Sequence, residues 1–299
     1  MVHPLLAGSR LGRRTLLRQA FAAGAAGAAL LADLAGRTVW AAPAAPPPPP
    51  GSPPNKADAK AVTVSPQDPA ITASAVEYPG LIGTMQGYLA APVGGETYPG
   101  ILVLHDAIGL TEHIRDVARR FARVGYTALA PDLLSRLGGT AKVGEQAKVI
   151  AALEAMSATD YLNELNASIR YLEARPQVSK TRIGVIGFGL GASLTLFLIN
   201  ANKDIKAAVV FPSQTPDPTA APQITAPVLA LFGDDDKSAT DGLQGFDDAT
   251  KKAGIVWQSK VEPKAGRGFF DDARTTYVAD AAKDAWKLTL DWFNKYLQS

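Results

Sequence analysis

Cysteine is absent from all 299 residues, so disulfides, a thiolate nucleophile and cysteine metal ligands are excluded together. The redox state of the compartment leaves no trace in such a chain. Histidine is nearly as scarce: His3, His105 and His113 are the whole supply of imidazole. A charge excess of one sign is also lacking, with Lys+Arg 30 against Asp+Glu 28. Five of those cations (Arg10, Arg13, Arg14, Arg18, Arg37) and one acid (Asp33) precede residue 42, leaving 25 against 27 beyond it. No basic surface for nucleic acid is expected. Long apolar runs are missing too. The longest, "AFAAGAAGAALLA", is rich in Ala and Gly, ends at Asp33 and falls short of the ~18 residues a membrane span needs.

The N-terminal stretch has the order of an export signal. Residues 1–41 carry a charged "GRRTLLRQ", the apolar run and a small-residue exit "TVWA", in the sequence expected of a cleavable peptide. Paired Arg13 and Arg14 point to the twin-arginine route, with cleavage after Ala41 or Ala44 and a periplasmic or secreted product. Residues 42–68 open with "APAAPPPPPGSPPNKADAK". Proline fixes φ and removes donors there, so a disordered, extended spacer is expected rather than a packed element.

From residue 69 to residue 299 strand and helix patterns alternate. The segments "ASAVEYP", "TMQGYLAAP" and "GILVLHD" read as strands, and "EHIRDVARRFARVG" follows with apolar residues at helical spacing. Strand "YTALAP", helices within "KVGEQAKVIAALEAM" and "TDYLNELNASIRYLEA", strand "RIGVIGF" and helix "GASLTLFLINA" continue the series. Strands "IKAAVVF", "APVLALFGD" and "VWQSKVEP", a helix around "GLQGFDDATKKAG" and the closing amphipathic helix "YVADAAKDAWKLTLDWFNKYL" complete it. A hairpin-like opening followed by repeated βα units predicts one α/β domain, a mostly parallel doubly wound sheet of about eight strands covered by helices.

In such sheets the loops at the carboxyl ends of the strands form the site. Four of them matter here: "HDAIG" (105–109), "GFGLG" (187–191), "GDDDKS" (233–238) and "KAGRGFFDD" (264–272). Together with "HIRDVARRFARVGYTALAPDLLSRLGGT" (113–140), they make residues 70–299 resemble the dienelactone hydrolase family of the α/β-hydrolase fold, especially its exported members. The resemblance implies ester or lactone hydrolysis. It also implies a nucleophile in G-x-C-x-G, where this chain has Gly189, and a general base in a motif ending H-G-F, where it has Arg267. Asp236 matches the family's acid after the seventh strand, and Asp106 matches its acidic residue after the third.

The two departures fall on the groups that make and break bonds. Glycine cannot form an acyl-enzyme, yet it suits the strained strand-to-helix elbow, where φ is often positive. Arg267 carries a guanidinium, a group that keeps its proton and cannot act as a base near neutrality. In the histidine's place it is expected to form a static ion pair with Asp236. The backbone N–H groups of Leu190 and Ala107 should still converge on an oxyanion position at a helix start. With Arg267 added, the leading expectation is a site degenerate in its triad that binds a small anionic molecule. His105 is read as a hydrogen-bonded histidine and counted with Leu190, Ala107 and Arg267 among the ligand-binding groups.

Other readings are weaker. Hydrolysis could survive through a water, with Asp236, Asp106 or His105 as base, acting on an ester or lactone, or the fold could serve as an interaction surface. GFGLG stands as G-x-G-x-x-A, a weak dinucleotide signal, so no cofactor is expected. His113 with Glu112 and Asp116 reads as a solvated helix start rather than a metal site. Ser193 lies a helical turn beyond Gly189, and the loop hydroxyls Ser135, Ser238 and Thr240 read as turn or capping groups.

Overall fold

The computed structural model describes residues 63–298; the export-signal and most of the spacer assignments, residues 1–62, lie outside them. Eight strands form one sheet: β1 (Ile71–Pro79), β2 (Thr84–Pro92), β3 (Tyr98–Leu104), β4 (Thr127–Asp132), β5 (Val178–Phe188), β6 (Ile205–Phe211), β7 (Val228–Gly233) and β8 (Trp257–Glu262). Their spatial order is β1-β2-β4-β3-β5-β6-β7-β8. The first hairpin and the β2–β4 pair are antiparallel, while every pair from β4–β3 onward is parallel. The local reason lies in the sequence. Strands β3, β6 and β7 are near-continuous apolar runs because both of their faces are covered, whereas β1 at the edge is largely exposed.

Helices lie on the two faces and divide the core. On one side α1 (Glu112–Arg123) and the closing α8 (Ala279–Leu297) bring Ile114, Val117, Phe121 and Phe293 against the inward residues of β3, β5 and β6. On the other, α4 (Ala158–Glu173), α5 (Leu190–Ala201) and α7 (Leu243–Lys252) supply Leu165, Ile169, Leu194, Leu198 and Phe246. Side chains spaced three and four apart put these residues on one stripe of each helix. Thr111 caps α1, its side chain accepting from Ile114 N. Ser157 and Asp160 close a capping box at the start of α4.

Short elements were not separable in the sequence. The region read as helical between residues 142 and 156 divides into α2 (Thr140–Val143) and α3 (Gln146–Glu154) at Gly144, whose φ is 78°. A 3₁₀ turn at Pro218–Gln223 and the four-residue α6 (Lys237–Thr240) fall in stretches read as loop. Residues 63–68, assigned to the spacer, are docked on the domain. Asp116, fully buried on α1, accepts from Val64 N (2.8 Å) and Thr63 N (3.2 Å), and Arg119 Nε donates to Val64 O (2.6 Å). An inward carboxylate and guanidinium that saturate backbone groups explain why this stretch is ordered despite its polar composition.

Candidate active site

The carboxyl ends of β3, β5, β7 and β8 open on the same edge of the sheet, over a floor of stacked aromatics. Phe188 lies on Phe211 with ring centroids 4.8 Å apart, and Phe270 packs on both. Gly189 stands between β5 and α5 with φ 52° and ψ −110°, backbone that residues with a side chain rarely adopt. Its N–H donates to Phe211 O at 2.9 Å. The flanking glycines are required by close approach: a Cβ on Gly187 would strike Gly191 O, and one on Gly191 would strike Leu104 O. The turn therefore has the tight strand-to-helix geometry expected of an elbow, with glycine at its apex.

The space above Gly189 is filled by Asp106. Its Oδ1 accepts from Ala107 N at 2.7 Å and from Leu190 N at 3.2 Å, so the two donors expected to form an oxyanion hole do converge, on a side chain of the same protein. A Cβ placed on Gly189 would overlap that Oδ1 and stand 2.9 Å from Oδ2. Glycine at 189 and the seated carboxylate are thus mutually dependent. Asp106 Oδ2 faces Arg274, whose Nη2 lies 3.5 Å away, while Arg274 Nε donates to Asp271 Oδ2 at 2.9 Å.

On the β7 and β8 side Arg267 meets Asp236 in a fork. Nε donates to Oδ2 at 2.8 Å and Nη2 to Oδ1 at 3.2 Å. Nη2 also reaches Ser213 O (3.0 Å) and Ser238 Oγ (2.5 Å), and Ser238 Oγ donates to Asp236 Oδ1 at 2.7 Å. The carboxylate is nearly buried and the guanidinium about one-third exposed. Two loops are pinned together behind the pair by Asp235 N donating to Ala265 O at 2.8 Å. A guanidinium holds its proton through the whole physiological range, so this pair orients and neutralises but does not shuttle protons.

Comparison with known proteins places this geometry. The model of the dienelactone hydrolase family matches residues 85–297. The chain belongs to the dienelactone hydrolase family. A Methylorubrum extorquens protein described as "Putative carboxymethylenebutenolidase" is 29% identical over 78% of this chain and 84% of its own length. One from Synechocystis with the same description is 32% identical over 71% of this chain and 92% of its own. Among solved structures, a Klebsiella pneumoniae protein described as "Putative Dienelactone Hydrolase" superposes with a TM-score of 0.70, at 28% identity, over 76% of this chain and 100% of that one. The α/β-hydrolase fold follows from the same likeness, and family membership implies ester or lactone hydrolysis.

Within this dienelactone hydrolase frame, three expected residues sit together above the elbow: Asp106, Ala107 and Leu190, all facing Gly189. Arg267 and Asp236 form the neighbouring pair. His105 does not join them. It is fully buried, its Nδ1 2.7 Å from Asp106 O and its Nε2 accepting from Leu133 N at 3.2 Å. Burial pushes its pKa below the usual histidine range, so a neutral ring clamps two strand ends. Its assignment to the ligand-binding groups is corrected on that ground, and its use as a base is excluded by the same two bonds.

His113 also departs from a solvated helix start. It is buried, with Nδ1 3.1 Å from Asp272 Oδ1 and 3.4 Å from Asp271 Oδ1. These three residues could surround a cation. However, Arg120 Nη2 already lies 2.6 Å from Asp272 Oδ2, and Arg274 holds Asp271. The carboxylates are neutralised by guanidinium groups, which makes the cluster a charge network behind the site. Arg274, Asp271 and Ser213 are the site residues that sequence reasoning missed. "FFDDAR" carries charge but no motif that would direct it toward Asp106. Among the described residues no helix is long and apolar enough to cross a membrane.

Proposed function

We propose that this dienelactone hydrolase family protein is silent through the inherited acyl-transfer triad and binds a small carboxylate-bearing molecule at the elbow. The observation carrying the reading is Asp106 Oδ1 seated on Ala107 N and Leu190 N: the anion position already accommodates a carboxylate. Gly189 offers no atom for an acyl-enzyme, and Arg267 offers charge without basicity. Arg267 and Arg274, each about one-third exposed, supply the attraction for an incoming anion.

An external carboxylate must displace Asp106, which competes as a tethered ligand at high effective concentration. Binding is therefore weak in the native protein and stronger once Asp106 is shortened. The test is thermal unfolding with acetate, maleate and a lactone acid, for the native chain and for Asp106→Ala. A ligand at a hundred times its dissociation constant stabilises by about 2.7 kcal/mol. Melting shifts larger in Asp106→Ala than in the native chain are expected, with no ester turnover in either. No shift in either protein with any of the three acids refutes the reading.

Hydrolysis through an alternative base has little support in the geometry, because Asp236 is occupied by Arg267 and Ser238 and His105 faces backbone. Residues 1–41 are further proposed to direct export, leaving a periplasmic or secreted domain on a proline-rich spacer. Retention of the full-length chain inside the cell would refute that part.

A further inference from the structure

A carboxylate stands where the family elbow places a nucleophile, and one of its oxygens is unengaged by backbone. Asp106 Oδ1 rests on both oxyanion donors, while Oδ2 has only Arg274 Nη2 at 3.5 Å. The side chain retains 30% exposure, enough for a small reagent to reach it. Carboxylates serve as nucleophiles where a dipole array fixes them and the site excludes competing water. Beside the turn, Phe188, Phe211 and Phe270 stack on one another as buried apolar rings.

We propose that Asp106 Oδ2 is a nucleophile toward small alkylating acids, which it captures as an ester. For a 2-haloacid, the Oδ2–carbon bond forms as the carbon–halogen bond breaks, and the halide leaves with the bonding pair. No proton moves and no co-reactant is needed. The ester carbonyl oxygen remains Oδ1, still held by Ala107 N and Leu190 N. The choice of an acidic reagent rests on the anion-binding reading, since Arg274 and Arg267 would draw in its carboxylate. The nucleophile itself does not depend on that reading.

Release of the ester would require a water deprotonated beside Oδ2. Arg267 occupies the base position and cannot accept a proton, and His105 is buried with both nitrogens engaged. The adduct is therefore expected to accumulate, one per chain, rather than turn over. The lack of cysteine removes the usual competing target of haloacetates.

The experiment treats the native protein with bromoacetate and, separately, with neutral bromoacetamide, then reads intact mass, peptide mapping and release by hydroxylamine. A single hydroxylamine-labile adduct on the peptide holding Asp106 is expected. It should form faster with bromoacetate, and it should be lost in Asp106→Asn. Arg274→Gln is expected to abolish the advantage of bromoacetate. If both reagents label Asp106 equally, the nucleophile stands and the attraction of an anion by Arg274 and Arg267, on which the anion-binding reading draws, falls. If neither labels Asp106 in the native protein, the proposal is overturned, whatever the variant does.

Discussion

Replacing Gly189 by alanine tests the dependence between the elbow and Asp106. The backbone at φ 52°, ψ −110° costs a residue with a Cβ about 1–3 kcal/mol. The added methyl also overlaps Asp106 Oδ1 and drives it from two N–H donors. Charge-assisted bonds are worth ~1.5–3 kcal/mol each when buried, but this side chain is 30% exposed and regains water. The second contribution is therefore about 1–2 kcal/mol, and the total about 2–5 kcal/mol. In an Asp106→Ala background only the backbone strain remains, so the same substitution should cost about 1–2 kcal/mol less there. Urea unfolding of all four proteins, compared at constant m-value, reads this coupling directly. If Gly189→Ala costs the same in both backgrounds within about 0.5 kcal/mol, the two residues are independent and the reasoning fails.

Two further outcomes are expected. Arg267→Ala leaves Asp236 nearly buried without its guanidinium and should destabilise by about 1–3 kcal/mol, below the value for a fully buried pair because Arg267 is partly exposed; calorimetric melting checks it, and no loss would mean that Ser238 alone satisfies Asp236. Glu164 is buried on α4, and desolvation raises its carboxyl to about 7, against the opposing Arg136 Nε at 2.5 Å. The folded state then binds more protons than the unfolded one between about pH 4.5 and about pH 7, so this group's contribution to stability declines as pH rises through that window. Glu164→Gln should melt progressively higher than the native chain over the same range, by at most about 3 kcal/mol; a pH-independent difference would refute the assignment.

The layout of the fold was legible because its signals are local. Continuous apolar runs marked the covered parallel strands, and the helical stripe in "EHIRDVARRFARVG" marked α1. The four strand-end loops also gave the site's position, since the topology brings those ends to one edge, while the Arg267–Asp236 pairing followed from the resemblance of the loops to the dienelactone hydrolase family. What escaped depended on side-chain direction. Nothing in "HDAIG" indicates that Asp106 turns into the hole while His105 turns away from it. Arg274 lies 168 residues from Asp106 in sequence and reaches it only through the irregular loop after β8. Residues 63–68 looked like spacer because composition records polarity, whereas their order comes from Asp116 and Arg119 on a distant helix.

The oxyanion hole is made of main chain, and main chain is hard to mutate away. Only proline at 107 or 190 would delete one of its donors, and both positions border a tightly packed elbow. On the reading proposed above, a site without its nucleophile and base keeps these main-chain donors, which Asp106 covers. One substitution at that residue would free both donors. The silence proposed for the site would then be reversible by substitutions at 106, 189 and 267, with the main chain left as it is.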